Sequence, residues 1–215
     1  MEDFQFRQCT WTDCRFRFPV QVGAERSQRC PSCGSDTELV GVPAESYQKP
    51  FVNRSRLSFE AILDNIRSIH NVGSMFRTAD GAGLLHLHLC GTTATPANVK
   101  LAKAALGAQE KVPWTHSLNG LDTALALKEK GYLLWAIEAV ENSEPFFTVR
   151  PTIPHSRVVV IVGNENAGID PGILQICDRI FSLPMHGFKR TLNVAVAFGI
   201  VAYQLCYAPQ METES

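Results

Sequence analysis

Four cysteines near the start of the chain fall into two pairs, Cys9-x4-Cys14 and Cys30-Pro31-Ser32-Cys33, separated by fifteen residues. Each pair can place two sulfurs on one side of a tight turn. Two such knuckles supply four thiolates, the complete shell of a tetrahedral zinc ion with no position left for a substrate. The expected role of Cys9, Cys14, Cys30 and Cys33 is therefore structural. Gly34 would ease the second turn, and the metal would supply the folding free energy that so short a segment lacks. A second group of residues suited to chemistry lies far downstream: Gly163-Asn164-Glu165-Asn166-Ala167-Gly168, then Leu183-Pro184-Met185, then Arg190-Thr191-Leu192-Asn193. Each piece ends an apolar run of strand character or opens an apolar helix, and in an open α/β sheet ligands sit at such strand ends. Gly163, Gly168 and Gly187 are able to let a backbone approach a ligand closely; the alternative for Gly163 and Gly168 is punctuation of a strand end and a helix start.

The segment Asn65 to Gly83, which holds Asn71 and Arg77, completes this set. In order and spacing the three segments resemble the motifs of the SpoU/TrmH branch of the SPOUT RNA methyltransferases, over roughly residues 57–207. In that family the first motif supplies Asn and Arg, the second reads Gly-x-Glu-x-x-Gly, and the third is an Ile-Pro-Met strand end followed by Ser-Leu-Asn. The resemblance implies an α/β fold: a mostly parallel sheet with helices on both faces and a C-terminal trefoil knot, the final helix threading the loop around Gly163. It implies S-adenosylmethionine as cofactor, bent in the knot against Gly163, Leu183 and Leu192, with Gly168, Met185 and Thr191 beside them. It also implies a homodimer through this domain and methylation of a ribose 2'-hydroxyl in a structured RNA, either tRNA or rRNA. Two positions depart from the family pattern. Thr191 replaces serine, keeping the hydroxyl but adding a methyl, and Ile69 stands where many members carry proline, which should loosen the loop.

Physical chemistry assigns roles within that frame. A methyl group on a sulfonium needs a nucleophile held in line at about 3–3.5 Å and shielded from water, with little covalent help. A guanidinium is a poor base, so Arg77 is better suited to orienting the substrate and stabilising a developing alkoxide. Glu165 at the loop tip could fix Arg77 and offset a positive sulfonium. Asn71 and Asn193 offer uncharged hydrogen-bond positioning. No Gly-x-Gly-x-x-Gly follows a predicted strand, so a Rossmann-type methyltransferase would lack its usual loop.

These residues need a scaffold, and the chain length of 215 residues with 45% hydrophobic and 19% charged content allows one sizeable core and a small appendage. Residues 1–42 form the zinc-ribbon module, 43–56 a polar linker with Pro43 and Pro50, and 57–215 the methyltransferase domain. Strands are predicted at 57–64, 84–90, 112–115, 132–139, 158–162 and 179–183. Helices are predicted at 72–83, 98–106 and 121–130, with a short one opened by Pro171 and an apolar one after Leu192. Alternating strands and helices mean a mostly parallel sheet. His86 and His88 alternate with leucines, as either a metal pair or a half-exposed strand face. Cys90, Cys177 and Cys206 read as buried thiols.

The net charge of -1 gives no global attraction to nucleic acid. Any RNA contact needs local basic groups, for which Arg7, Arg15, Arg17, Arg26, Arg29, Lys189 and Arg190 are candidates. No charged start precedes an apolar leader and no stretch is long enough to span a bilayer, so a soluble cytoplasmic protein without membrane contact is expected. The competing reading is a non-catalytic, zinc-dependent RNA-binding protein on the same scaffold. A zinc-dependent protein modifier lacks a supporting cysteine–histidine context.

Overall fold

In the computed structural model, which describes residues 4–24, 28–44, 59–148 and 157–207, the chain divides into two units, Met1–Val52 and Asn53–Ser215. The first is an antiparallel sheet of β1 (Phe4–Cys9), β2 (Arg17–Gln21) and β3 (Thr37–Gly41), in the order β2-β1-β3. Its strands are short and half exposed. Among its described residues Cys9 and Cys30 are the only buried apolar side chains, so this unit is organised around sulfur rather than a hydrocarbon core.

The second unit is built on seven strands: β4 (Phe59–Asp64), β5 (Leu87–Cys90), β6 (Trp114–Ser117), β7 (Leu133–Ile137), β8 (Glu144–Pro145), β9 (Val158–Val162) and β10 (Arg179–Ser182). They form one sheet in the order β6-β5-β4-β9-β7-β10-β8, and every pairing is parallel. Five α-helices are found among its described residues: α1 (Ile69–Ala82), α2 (Val99–Ala105), α3 (Gly120–Glu129), α4 (Pro171–Ile176) and α5 (Val194–Tyr207). Side chains alternate across the pleat. Phe59, Ala61, Leu63, Val158, Val160 and Val162 pack on one face with Met75 and Phe76 of α1, Leu101 of α2 and Phe198 and Val201 of α5. Ile62, Val159, Ile161 and Leu134 pack on the other with Ala124 and Leu127 of α3 and Ile173 of α4. Parallel strands need crossovers, the crossovers cover both faces, and the central strand β9 is consequently buried at all five positions. The α/β class, the mostly parallel sheet and the two-sided helix layers follow the expectation.

Boundaries differ where caps act. Helix α1 starts three residues before the predicted Val72, because the Ser68 hydroxyl accepts the Asn71 N–H at 3.3 Å and caps it. Ile69 is thereby the first helical residue, a place where proline needs no N–H partner. It packs against the core. Strand β5 begins at Leu87, not Leu84, since the Leu84 N–H turns back to the carbonyl of Ala79 at 2.9 Å. Leu57, expected to begin the first strand, lies outside the described residues.

His86 and His88 belong to a polar network. The Tyr132 hydroxyl donates to buried Glu60, His88 Nε2 lies 2.7 Å from the same carboxylate, and Thr115 Oγ1 bridges the two imidazoles at 3.1 and 3.2 Å. Burial pushes the Glu60 pKa up, but the hydrogen bonds from His88 and Tyr132 outweigh it and the net shift is downward. Cys90 and Cys206 are buried as expected, whereas Cys177 is only half-buried.

Candidate functional site

The first candidate site is the cysteine cluster. The two knuckles are built alike: the residue after the second cysteine of each adopts a left-handed backbone, Arg15 at φ 48° and Gly34 at φ 76°. In the second turn the Gly34 N–H closes onto the Cys30 carbonyl at 2.8 Å. The four sulfurs lie within 4.8 Å of one another, with Cys9 Sγ to Cys33 Sγ at 3.5 Å and Cys14 Sγ to Cys30 Sγ at 3.8 Å. Metal–sulfur bonds of ~2.3 Å in a tetrahedron require sulfur–sulfur edges of roughly 3.8 Å, so the donor set fits one zinc-sized ion. No other group of three or more His, Cys, Asp or Glu among the described residues is arranged to hold a metal.

The second site lies where β7, β9 and β10 end at their carboxyl edges. Ile137, Val162 and Phe181 close the floor of a cavity of about 420 Å³, within the range of small-molecule sites. Its wall is the 163–168 turn. Asn164 and Gly168 exchange backbone hydrogen bonds at 3.0 and 2.8 Å, and the Asn164 side chain accepts the N–H groups of Asn166 and Ala167 at 3.0 Å each. The two glycines that bound that turn leave no room for a side chain: a Cβ at Gly163 would lie 2.4 Å from the backbone of Gly168 and Ile169. Gly168 sits at φ 75°, where a Cβ would also meet the Glu138 carboxylate at 2.7 Å. Glu138, at the end of β7, secures the turn by accepting the Ile169 N–H at 3.1 Å.

One carboxylate joins this wall to α1. Glu165 accepts the backbone N–H groups of Arg67 at 2.8 Å and Ser68 at 3.0 Å, and the Asn71 amide at 2.8 Å. Helix α1 has no acidic residue in its own first turn. Glu165 supplies the negative charge its dipole favours, from a loop distant in sequence. The relay continues as the Asn193 amide donates to Asn71 Oδ1 at 3.1 Å, while Asn193 Oδ1 accepts the Ala195 N–H at 2.9 Å and caps α5. Two helix starts and the cavity wall are thus tied through three side chains.

Burial works to raise the Glu165 pKa, but amide donors from Arg67, its own backbone, Ser68 and Asn71 prevail and set it below the ordinary value. A depressed carboxylate stabilises the fold above its unfolded pKa of ~4.3, and that contribution is lost as pH falls through the folded value. Glu165→Gln should therefore destabilise the protein by about 1 kcal/mol at neutral pH, the size of a lost helix cap. In denaturant titrations the difference from wild type should start to shrink as pH falls past ~4.3 and vanish only once pH is below the lowered folded value. A gap that persists there would assign the loss to geometry rather than charge.

Of the expected residues, Gly163, Glu165, Gly168, Leu183, Thr191, Leu192 and Asn193 line the cavity, whereas Met185, Asn71 and Arg77 do not. Asn71 is connected to it through Glu165 and Asn193. Glu165 does not pair with Arg77 as expected; its oxygens instead accept the Arg67 and Ser68 backbone N–H groups and the Asn71 amide. Arg77 stands exposed on α1, roughly 9 Å along the axis from Asn71, with no hydrogen bond or ion pair among the described residues. The sequence reading missed Glu138, which no pattern marks, and Asn164, which an Asx turn between two glycines could have revealed. Of the N-terminal arginines, Arg7 is spent on Thr37 and Arg29 on Asp36, leaving Arg15 and Arg17 exposed. Arg26 lies outside the described residues.

Comparison with known proteins identifies relatives of the second unit. A model of the SpoU rRNA methylase family matches residues 58–203. A 23S rRNA (guanosine(2553)-2'-O)-methyltransferase of Bacillus subtilis is 34% identical over 145 residues, covering 67% of this chain and 56% of that protein. A tRNA (guanosine(18)-2'-O)-methyltransferase of Aquifex aeolicus is 31% identical over 141 residues, covering 66% and 65%. The chain thus spans less than two thirds of the length of these relatives. The crystal structure of an AdoMet-bound rRNA methyltransferase from Sinorhizobium meliloti superimposes with a TM-score of 0.64 at 25% identity, over 74% of this chain and 57% of that one.

Proposed function

The chain belongs to the SpoU rRNA methylase family, and we propose that it transfers a methyl group from S-adenosylmethionine to a ribose 2'-hydroxyl of tRNA or rRNA. The observation that carries this reading is the glycine-walled cavity at the ends of β7, β9 and β10, tied through Glu165 and Asn71 to the helix that bears Arg77. Bound S-adenosylmethionine would supply an electrophilic methyl group. The chain's own residues do the rest. Gly163 and Gly168 keep the wall flat enough for backbone contact, and Leu183 and Leu192 exclude water. Glu165 adds negative charge at the rim. Asn71 and Asn193 fix the angle between α1 and the cavity. Arg77, with no competing partner among the described residues, orients the RNA and stabilises charge developing on the ribose oxygen. The trefoil knot and a homodimer in which the partner completes the site extend this reading, as does a cytoplasmic location.

The test is mass spectrometry of 2'-O-methylated nucleosides in RNA from cells with and without this chain, combined with calorimetry of S-adenosylmethionine binding. One ribose-methylated nucleoside should disappear with the chain. Unchanged nucleosides together with no cofactor binding would leave the RNA-binding scaffold reading instead.

The same proposal assigns zinc to Cys9, Cys14, Cys30 and Cys33. Because sulfur replaces a hydrocarbon core in that unit, chelation should abolish the β1–β3 sheet while the second unit keeps its melting transition. Circular dichroism and one released equivalent of zinc measure this. A ribbon that stays folded after chelation would remove the metal.

A further inference from the structure

Between β10 and α5 the chain runs along the rim of the cavity, with Arg190, Thr191 and Leu192 lining it. Phe188 does not line it, and at 97% exposure it is the most exposed large hydrophobic side chain among the described residues. A phenyl ring held in water forgoes the stabilisation of burial. Its exposure leaves the ring without packing among the described residues, and the adjoining Gly187 also stands in open space, with no heavy atom within 4 Å of an added Cβ. No hydrogen bond among the described residues involves residues 185–192. Next along the chain come Lys189 and Arg190, both exposed and neither in an ion pair among the described residues. In a chain of net charge -1, this is a local positive patch.

An uncovered aromatic face flanked by two cations matches what single-stranded nucleic acid requires: a surface for a base and counter-charges for the adjoining phosphates. We propose that Phe188 stacks on a nucleobase of the RNA next to the methylated nucleotide, with Lys189 and Arg190 against its phosphates. This inference rests on the RNA methyltransferase reading and adds a residue to its substrate side. Phe188 lies two residues before Arg190, which lines the cavity, so a base stacked on it would neighbour the nucleotide whose ribose enters. Stacking is tolerant of base identity, so Phe188 contributes affinity and register more than sequence choice.

Fluorescence anisotropy of the full chain tests it with two probes, a labelled oligoadenylate and an abasic oligonucleotide of the same length. Wild type should bind the base-bearing probe about tenfold more tightly. Phe188→Ala should lose that preference with abasic binding unchanged, and Phe188→Trp should keep it. S-adenosylmethionine affinity and sedimentation should not change. Equal binding of both probes by wild type, or a preference that survives Phe188→Ala, overturns the proposal. So does a change in sedimentation for Phe188→Ala, which would show that the ring covers a second copy of the chain. Methyl transfer by wild type to total RNA from cells lacking the chain is measured in parallel. Transfer without a Phe188 effect removes only the stacking, whereas no transfer and no cofactor binding removes the enzyme reading itself.

Discussion

Gly163→Ala is expected to leave the second unit folded and to weaken S-adenosylmethionine binding by roughly 5- to 150-fold. The methyl group would lie 2.4 Å from the carbonyl carbon and oxygen of Gly168 and from the Ile169 nitrogen. Those atoms are backbone and cannot swing aside as a flexible side chain does. Either Val162 at the end of β9 shifts, or the 163–168 turn moves away from it. Val162 is buried in the core, so the turn gives way, at the ~1–3 kcal/mol typical of an overpacked site. That turn is the cavity wall, so the strain appears as lost affinity, at a factor of ten for each 1.4 kcal/mol. Titration calorimetry reads the affinity, and a melting curve shows whether the fold has survived. Unchanged binding would mean that the cofactor does not lie against this turn.

Arg77→Ala should have the opposite signature. Its side chain lies outside the cavity and outside the Glu165 relay, so cofactor affinity and melting temperature should stay close to wild type. Transfer to RNA should fall by about 10²–10³-fold, the loss seen when one preorganised donor to a developing oxyanion is removed. Arg77→Lys should restore little, because an ammonium cannot reproduce the planar two-pronged geometry of a guanidinium. Single-turnover transfer measured beside cofactor titration separates the effects. Equal turnover in wild type and Arg77→Ala would exclude this residue from the chemistry, and a parallel loss of cofactor binding would assign it a structural role.

The two substitutions test different parts of the site, and the sequence disclosed those parts unequally. Periodicity gave the buried strand at 158–162 at its observed bounds, since five consecutive β-branched residues can be satisfied only with helices on both sides. Local chemistry also revealed the Pro171 helix start and the Asn98 cap, because a capping side chain acts on residues two or three positions away. Sulfur spacing exposed the knuckles for the same reason. Element ends were less legible. Trp114–Ser117 replaced the predicted 112–115, because where a strand stops depends on its neighbour's register and not on its own residues.

What local patterns could not carry was the identity of partners across the fold. Glu165 was recognisable as a carboxylate on a glycine turn, yet its oxygens meet groups 94 to 98 positions away, and Asn193 meets Asn71 across 122. Those meetings depend on β9 lying beside β4, which leads into α1, and on β10 lying two strands away, which leads into α5. Strand order records which faces bury the most apolar surface together, a property of the whole chain. Residue types thus fixed the available chemistry, namely four thiols, a glycine-walled turn, an arginine and a pair of amides. Only the assembled sheet decided that the glutamate caps a helix instead of holding the arginine, and that the arginine stands exposed with no partner among the described residues.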